Sequence, residues 1–323
     1  MNEQPSVTVL MPVYNCENYI AEAIRSVLNQ VYTDFEFLIV NDGSTDNTAK
    51  IISSFKDERI RVIDLGSNKG IAVALNAGLL QAKGKYIARF DADDVCFPRR
   101  LSIQFGFLVA HEDYVVAGSN AEYINQRGEH LFHFKCLAYS DVELKKNIMK
   151  QCPFIHSSVM YKKEAVLQAG GYSLLAHNFE DYLLWIRLKP FGKFYNINHS
   201  LIRVRFNPQS VTIDERHRGK AFRKLKRSII ERGDITKEEG QFLSGLLKRQ
   251  NVQKIKESSY YSLCGKKYLL NNHQPVKARA SFLKAIKIHP VRLENYALFF
   301  LSFLPASFIQ ILHKDLLPKF QNR

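Results

Sequence analysis

The chain is poor in cysteine: five in 323 residues, at positions 16, 96, 136, 152 and 264, an odd number with no C-x-x-C pair. That argues against a disulfide framework or a cysteine zinc site and fits a reducing compartment. Glycine-rich phosphate loops are also missing. Neither G-x-G-x-x-G nor G-x-x-x-x-G-K-[ST] occurs, which argues against a dinucleotide fingerprint and a P-loop. No apolar run reaches the roughly 20 residues of a membrane span, and the longest, residues 296–309, contains Pro305. The opening residues, Met1-Asn2-Glu3-Gln4-Pro5, lack the basic start and apolar core of a signal peptide. Acidic residues are scarce, 31 Asp+Glu against 46 Lys+Arg, which leaves a net charge of +15.

What remains is an ordinary folding composition, 46% hydrophobic and 24% charged, long enough for one large domain or a domain with an appendage. A charge of +15 taken whole suggests an anionic partner: nucleic acid, phosphates or a membrane surface. The charge is unevenly spread, however. Residues 1–213 carry 23 basic and 22 acidic side chains, and residues 214–323 carry 23 and 9. The basic character therefore belongs to the second segment, and a boundary is expected near 214.

The first segment alternates strands and helices. Apolar, β-branched runs at 7–13 (VTVLMPV), 35–41 (FEFLIVN), 60–63 and 85–90 (KYIARF) predict strands. Helical spacing predicts helices over 17–30, from 46 to Phe55, over 71–82 and over 98–110. Such alternation implies right-handed crossovers and a mostly parallel sheet with helices on its faces. From about 114 to 213 the alternation breaks down, and from about 215 helices run to the end.

In an open parallel sheet, ligands bind beyond the carboxyl ends of the strands. Three polar clusters fall there: Pro12-Val13-Tyr14-Asn15, Asn41-Asp42-Gly43-Ser44-Thr45-Asp46 and Asp91-Ala92-Asp93-Asp94. Three carboxylates in four residues repel one another unless a cation compensates. Oxygen-only ligands suit Mg2+ or Mn2+, held by one or two carboxylates and completed by substrate phosphates. The same residues also read as an acidic loop, with Asp94 helping to start the next helix. Asp42 either accepts a hydrogen bond from an N–H on a nucleotide base or merely lies in a polar turn, with Asp46 capping the helix that follows.

These motifs, with HSSVMYKKEAVLQAGGY (156–172) and EDYLLWIRL (180–188), resemble the family 2 glycosyltransferases of the GT-A fold over about residues 6–210. The resemblance implies a Rossmann-like, mixed but mostly parallel sheet flanked by helices. It also implies inverting sugar transfer from a nucleoside-diphosphate sugar, usually UDP-linked. Pro12, Val13 and Tyr14 would line the base and ribose, Asp42 would bind the base, and Lys69 would lie near the base or diphosphate. Asp91 and Asp93 match the family's D-x-D around Ala92. Asp91 would contact ribose or metal, and Asp93 would hold the Mn2+ or Mg2+ that bridges the diphosphate. Asp181 would be the catalytic base, with Glu180 beside it. His156, Arg203 and Arg205 would approach the acceptor or the phosphates. Without that resemblance, Glu180 and Asp181 read as first-turn helix acids, and Trp185 as a core residue.

Residues 261–290 resemble a single helix–turn–helix unit of the tetratricopeptide kind. One unit cannot form a solenoid, so a helical hairpin packed on another element is expected. The basic helices and the aromatic stretch at 296–312 favour an anionic membrane surface over nucleic acid, for which no recognition motif is present. The expected whole is a GT-A domain, 1–213, with an all-α basic extension, 214–323. It would work peripherally at the cytoplasmic face of the membrane and transfer sugar to a glycan or lipid-linked acceptor for surface polysaccharide or lipopolysaccharide. The alternatives are transfer to polyprenyl phosphate, or nucleic-acid binding through the tail.

Overall fold

The computed structural model describes residues 4–206, 219–248, 252–305 and 308–309. In chain order the elements begin with β1 (Val7–Val13), α1 (Ile20–Leu28), β2 (Phe35–Asn41), α2 (Thr48–Ser54), β3 (Ile60–Asp64), α3 (Ile71–Gln81) and β4 (Tyr86–Arg89). They continue with β5 (Val95–Cys96), α4 (Arg100–Ala110), β6 (Tyr114–Ile124), β7 (His130–Phe134), α5 (Asp141–Asn147), β8 (Met160–Lys162), α6 (Lys163–Gln168), α7 (Glu180–Leu188) and β9 (Lys193–Arg205). The C-terminal helices are α8 (Lys220–Arg232), α9 (Lys237–Lys248), α10 (Val252–Lys266), α11 (Pro275–Ile288) and α12 (Leu293–Leu301).

Among the described residues the strands form one mixed sheet in the order β3-β2-β1-β4-β8-β6-β9-β5, with β7 beside β6. Pairing is parallel across β3, β2, β1 and β4, and antiparallel where β8 meets β4 and β6. β1 and β2 are buried along their whole length, as strands covered on both faces must be. Their apolar runs end together, because Val13 pairs with Asn41. The polar segments that follow therefore leave the sheet side by side.

A buried polar brace holds the sheet where parallel pairing gives way to antiparallel. Arg100 is fully buried, and its guanidinium donates to the carbonyls of Arg89 and Val159, at 2.6 and 3.2 Å. Its Nε donates to Gln104, whose amide donates in turn to the carbonyls of Ala117 and Ser158. Four backbone acceptors from three strand regions are thus satisfied by two side chains of α4.

The chain forms two compact units. One comprises residues 1–122, 133–204 and 224–242, and the other residues 123–132, 205–223 and 243–323. The boundary expected near 214 lies outside the described residues. In the second unit, α10 and α11 form the expected helical hairpin, joined through a π-helical turn, Lys267–Asn271. Gly265 makes it close-packed, since a Cβ there would lie 2.6 Å from the Phe282 ring. The element beneath is a β-turn segment. Leu131 shares a core with Tyr260, Cys264, Tyr268, Leu269, Ala278 and Phe282. Asn125 shapes the turn by accepting the N–H groups of Arg127 and Glu129, and its amide donates to the Tyr268 hydroxyl at 3.1 Å. No described helix is long and apolar enough to cross a membrane, and all five cysteines are free.

Replacing Arg100 with Met removes the side-chain donor from the Arg89 carbonyl and one of the two donors from the Val159 carbonyl, and leaves Gln104 without its Nε partner. Urea unfolding is expected to show a loss of about 2–4 kcal/mol.

Candidate active site

The loops after β1 and β2 are tied to each other. Asn15 adopts a left-handed backbone (φ 47°), and its side-chain oxygen accepts the Thr45 N–H at 2.8 Å. Glu17 accepts the backbone and side-chain N–H groups of Asn47, and Asp46 accepts the N–H groups of Glu17 and Thr48. Asp46 therefore serves both loops as well as the start of α2.

Asp42 is buried at the end of β2. Its two carboxylate oxygens accept the backbone N–H groups of Lys69 and Gly70, at 2.8 and 2.9 Å. Gly43 makes this approach feasible. Its φ is +68°, and a Cβ there would sit 2.4 Å from the Ser67 Cα. The Lys69 side chain is exposed, and its backbone, rather than its ammonium, is what touches Asp42. Pro12 and Val13 are buried within β1, whereas Tyr14 is 45% exposed just beyond it.

The acidic run follows β4. Asp91 and Asp93 are partly buried, and Ala92 and Asp94 are buried. The Ala92 carbonyl accepts the Cys16 thiol, which brings the first loop onto this one. Cys16 is itself pushed far up, by burial and then by the surrounding aspartates, Asp93 first. It is a neutral thiol. Asp91 forms an ion pair with Arg89, a residue that the strand buries completely. Burial works against the Arg89 charge, and Asp91 more than compensates. Among the described residues no three His, Cys, Asp or Glu side chains form a ready-made metal cage. Asp91 and Asp93, oxygen donors two residues apart in sequence, are of the type that could hold a hard divalent cation completed by further oxygen ligands.

A second acidic pair faces the same charge. Glu180 and Asp181 open α7, and Glu180 is 7% exposed. Glu180 is pushed up to about 7, by burial first and then by Asp181, while Arg89 pulls it back. Asp181 is raised by burial and drawn down by the Tyr182 N–H it accepts, then by Lys226 and Arg89. The Cys152 thiol points at its other oxygen, 3.7 Å away. The structure thus groups Arg89, Asp91, Glu180 and Asp181 in one electrostatic neighbourhood.

His156 adjoins that neighbourhood without a charge. Its Nε2 lies 3.0 Å from the Tyr172 hydroxyl, and burial followed by the Arg89 charge holds it well below the usual range. The residue after it, Ser157, accepts the Asp91 N–H at its hydroxyl. Trp185 is fully buried against Phe154 and His156, as a core residue should be. The two strand arginines are committed elsewhere. Arg203 pairs with Glu122 at 3.2 Å and lies over the Phe97 ring, and Arg205 is buried with its guanidinium on the Asn125 and Gln126 carbonyls.

Sequence reasoning passed over Arg89, Cys152, Tyr172 and Lys226. Arg89 had a signal: a lone charge inside the apolar run KYIARF is costly unless paired. Lys226 had one too, since it falls on the stripe of Phe222, Ile229 and Ile230, the buried face of α8.

The raised Glu180 carries a sign. Its charged form is disfavoured by folding, so its contribution to stability is complete below the unfolded carboxylate range and is lost as pH rises through about 7. Glu180→Gln is therefore expected to match the unliganded parent near pH 5 and to exceed it by up to about 3 kcal/mol at pH 8. Urea unfolding at both pH values checks this, and equal differences at the two would contradict it.

Comparison with known proteins agrees with this geometry. Residues 8–167 match the model of glycosyl transferase family 2. The chain is 36% identical over 214 residues to a putative glycosyltransferase, EpsE, of Bacillus subtilis strain 168, covering 64% of this chain and 74% of that one. It is 31% identical over 210 residues to the O-antigen biosynthesis glycosyltransferase WbnJ of Escherichia coli, covering 63% and 81%. Its fold is similar to that of S. aureus TarS 1–349 in complex with UDP-GlcNAc, with a TM-score of 0.57 at 17% identity, covering 90% and 91%. The curled mixed sheet, the paired acidic motifs at its carboxyl edge and these relatives together place the chain in glycosyltransferase family 2, as a GT-A-fold enzyme.

Proposed function

We propose that this glycosyltransferase inverts configuration as it moves a sugar from a UDP-linked donor to a hydroxyl of a glycan or lipid-linked glycan, in the synthesis of a surface polysaccharide or lipopolysaccharide. The observation that supports the reading is two acidic pairs that share one buried cation: Asp91 and Asp93 after β4, where Arg89 pairs with Asp91, and Glu180 and Asp181 at the start of α7, which the same Arg89 charge reaches. The O-antigen role of one relative and the UDP-sugar complex of one structural neighbour support the donor and pathway.

Tyr14 and Asp42 receive the nucleoside. Asp42 is held rigid by Lys69 and Gly70 and keeps lone pairs for an N–H on the base. Asp91 and Asp93 would hold Mn2+ or Mg2+, which supplies Lewis-acid neutralisation of the leaving diphosphate. Asp181 takes the proton of the acceptor hydroxyl as that oxygen attacks the anomeric carbon from the face opposite the leaving group. A single displacement of this kind inverts the centre, so an α-linked donor gives a β-glycoside. Glu180, protonated near neutral pH, offers a hydrogen bond in place of a second repelling charge.

Asp181→Asn keeps the shape and removes the base. With an accepted donor found from a nucleotide-sugar panel, UDP release in the presence of acceptor is expected to fall about 10²–10⁴-fold while donor affinity stays within a few-fold. Retention of most of the activity would instead favour transfer to polyprenyl phosphate, an acceptor that is already an anion.

The second unit is proposed to rest on an anionic membrane at the cytoplasmic face. It carries much of the basic excess, and it exposes Leu293 (82%), Phe300 (67%) and Phe303 (60%). Basic side chains contribute about 1 kcal/mol each near such a surface, and aromatic side chains anchor in its interface. Flotation with phosphatidylglycerol vesicles should be salt-sensitive, absent with phosphatidylcholine alone and weakened by Phe300→Ser with Phe303→Ser. Equal recruitment to neutral vesicles would overturn it.

A further inference from the structure

The basic helix α8 lies beyond the residues that match the family model, and its composition suggests a solvated cationic surface. Its buried face does something different. Phe222, Ile229 and Ile230 are buried, and Lys226 stands between them on the same stripe, four residues after Phe222 and three before Ile229. A stripe position of this kind normally takes an apolar side chain. Here the ammonium lies 5.6 Å from the Phe179 ring centre and 5.2 Å from that of Tyr182. Those two rings, both buried, flank Glu180 and Asp181 in sequence. Helix α7 is also fastened to the far end of α8. Arg187 donates to the Gly233 carbonyl at 3.0 Å and pairs with Asp234 at 2.7 Å. The α7–α8 pair is therefore a fixed frame with a cation held over the turn that presents the acidic pair.

We propose that Lys226 is a positioning residue of the active site: α8 supplies the ammonium that keeps Asp181 in its ionised, proton-accepting form and in place. Five groups face Asp181, each from a different segment. They are Glu180 on its own helix, the Cys152 thiol ahead of β8, Arg89 from β4, Lys226 from α8 and, more remotely, the Tyr172 phenol. Burial disfavours the Asp181 carboxylate. Arg89 is already engaged by Asp91, and of the two cations that favour the Asp181 carboxylate Lys226 acts the more strongly. The extension is on this view part of the catalytic apparatus, and not only a surface anchor.

The inference rests on the reading of Asp181 as base, and the test separates the two. The full-length chain, its Lys226→Gln and Lys226→Arg variants and Asp181→Asn are compared by the pH profile of kcat/KM for UDP release from the accepted donor, with thermal unfolding as a check on folding. Activity needs an ionised Asp181, so removing the cation moves the acidic limb to higher pH, by about one unit for Lys226→Gln. Lys226→Arg restores the limb to within a few tenths of a unit. If Asp181→Asn is inactive but the Lys226→Gln limb overlays the parent, Lys226 is structural and the inference falls alone. If Asp181→Asn keeps full activity, the base assignment falls, and the inference with it.

Discussion

Five carboxylates crowd one end of this sheet: Asp91, Asp93 and Asp94 after β4, and Glu180 and Asp181 at the head of α7. Their mutual repulsion is the constraint around which the site is built. The protein answers with few cations of its own. Arg89, buried in the strand that leads into the acidic run, is bound to Asp91 and lends its charge to both members of the second pair. Glu180 answers by holding its proton to about neutral pH. Lys226 adds its charge at Asp181, and a divalent ion with an anionic donor would complete the balance.

The scaffold places these groups by register. β1 and β2 end opposite each other, so the loops that carry Tyr14 and Asp42 emerge together, and hydrogen bonds from Asn15, Glu17 and Asp46 fix them. The buried Arg100–Gln104 brace secures the carbonyls of Arg89, Val159, Ala117 and Ser158, next to the residues that carry the site. A surface loop is thus held by interior polar bonding that no exposed salt bridge would match.

The parallel half of the sheet was legible because its signal is local. FEFLIVN is a strand over 35–41, as its buried run predicts, and the other strand and helix ends moved by one to a few residues. The D-x-D run stood out because three carboxylates clustered at a strand end are chemically unusual, whereas the E-D pair was legible only through the family resemblance. What stayed hidden was long-range. Nothing in LIRVRF says that Arg205 seats on the 125–126 carbonyls, since that requires knowing where the segment after β6 goes. Likewise, the hairpin of α10 and α11 announced a need for a packing partner, and the partner, around Leu131, lies more than a hundred residues earlier. Charge counting placed α8 wholly in a basic tail. Its residues 224–232 instead fall in the first compact unit, and Ile229 and Ile230 there are buried.

The central claim is that the carboxyl edge of β1, β2 and β4 binds a nucleoside diphosphate through a divalent ion on Asp91 and Asp93. Calorimetric titration of UDP into the full chain, with Mn2+ and with chelator, and repeated with Asp93→Asn, tests it most directly. The account predicts binding that requires Mn2+ and is lost or weakened at least about tenfold by the substitution, roughly 1.4 kcal/mol. UDP binding of equal strength in chelator, or unchanged by Asp93→Asn, would contradict it.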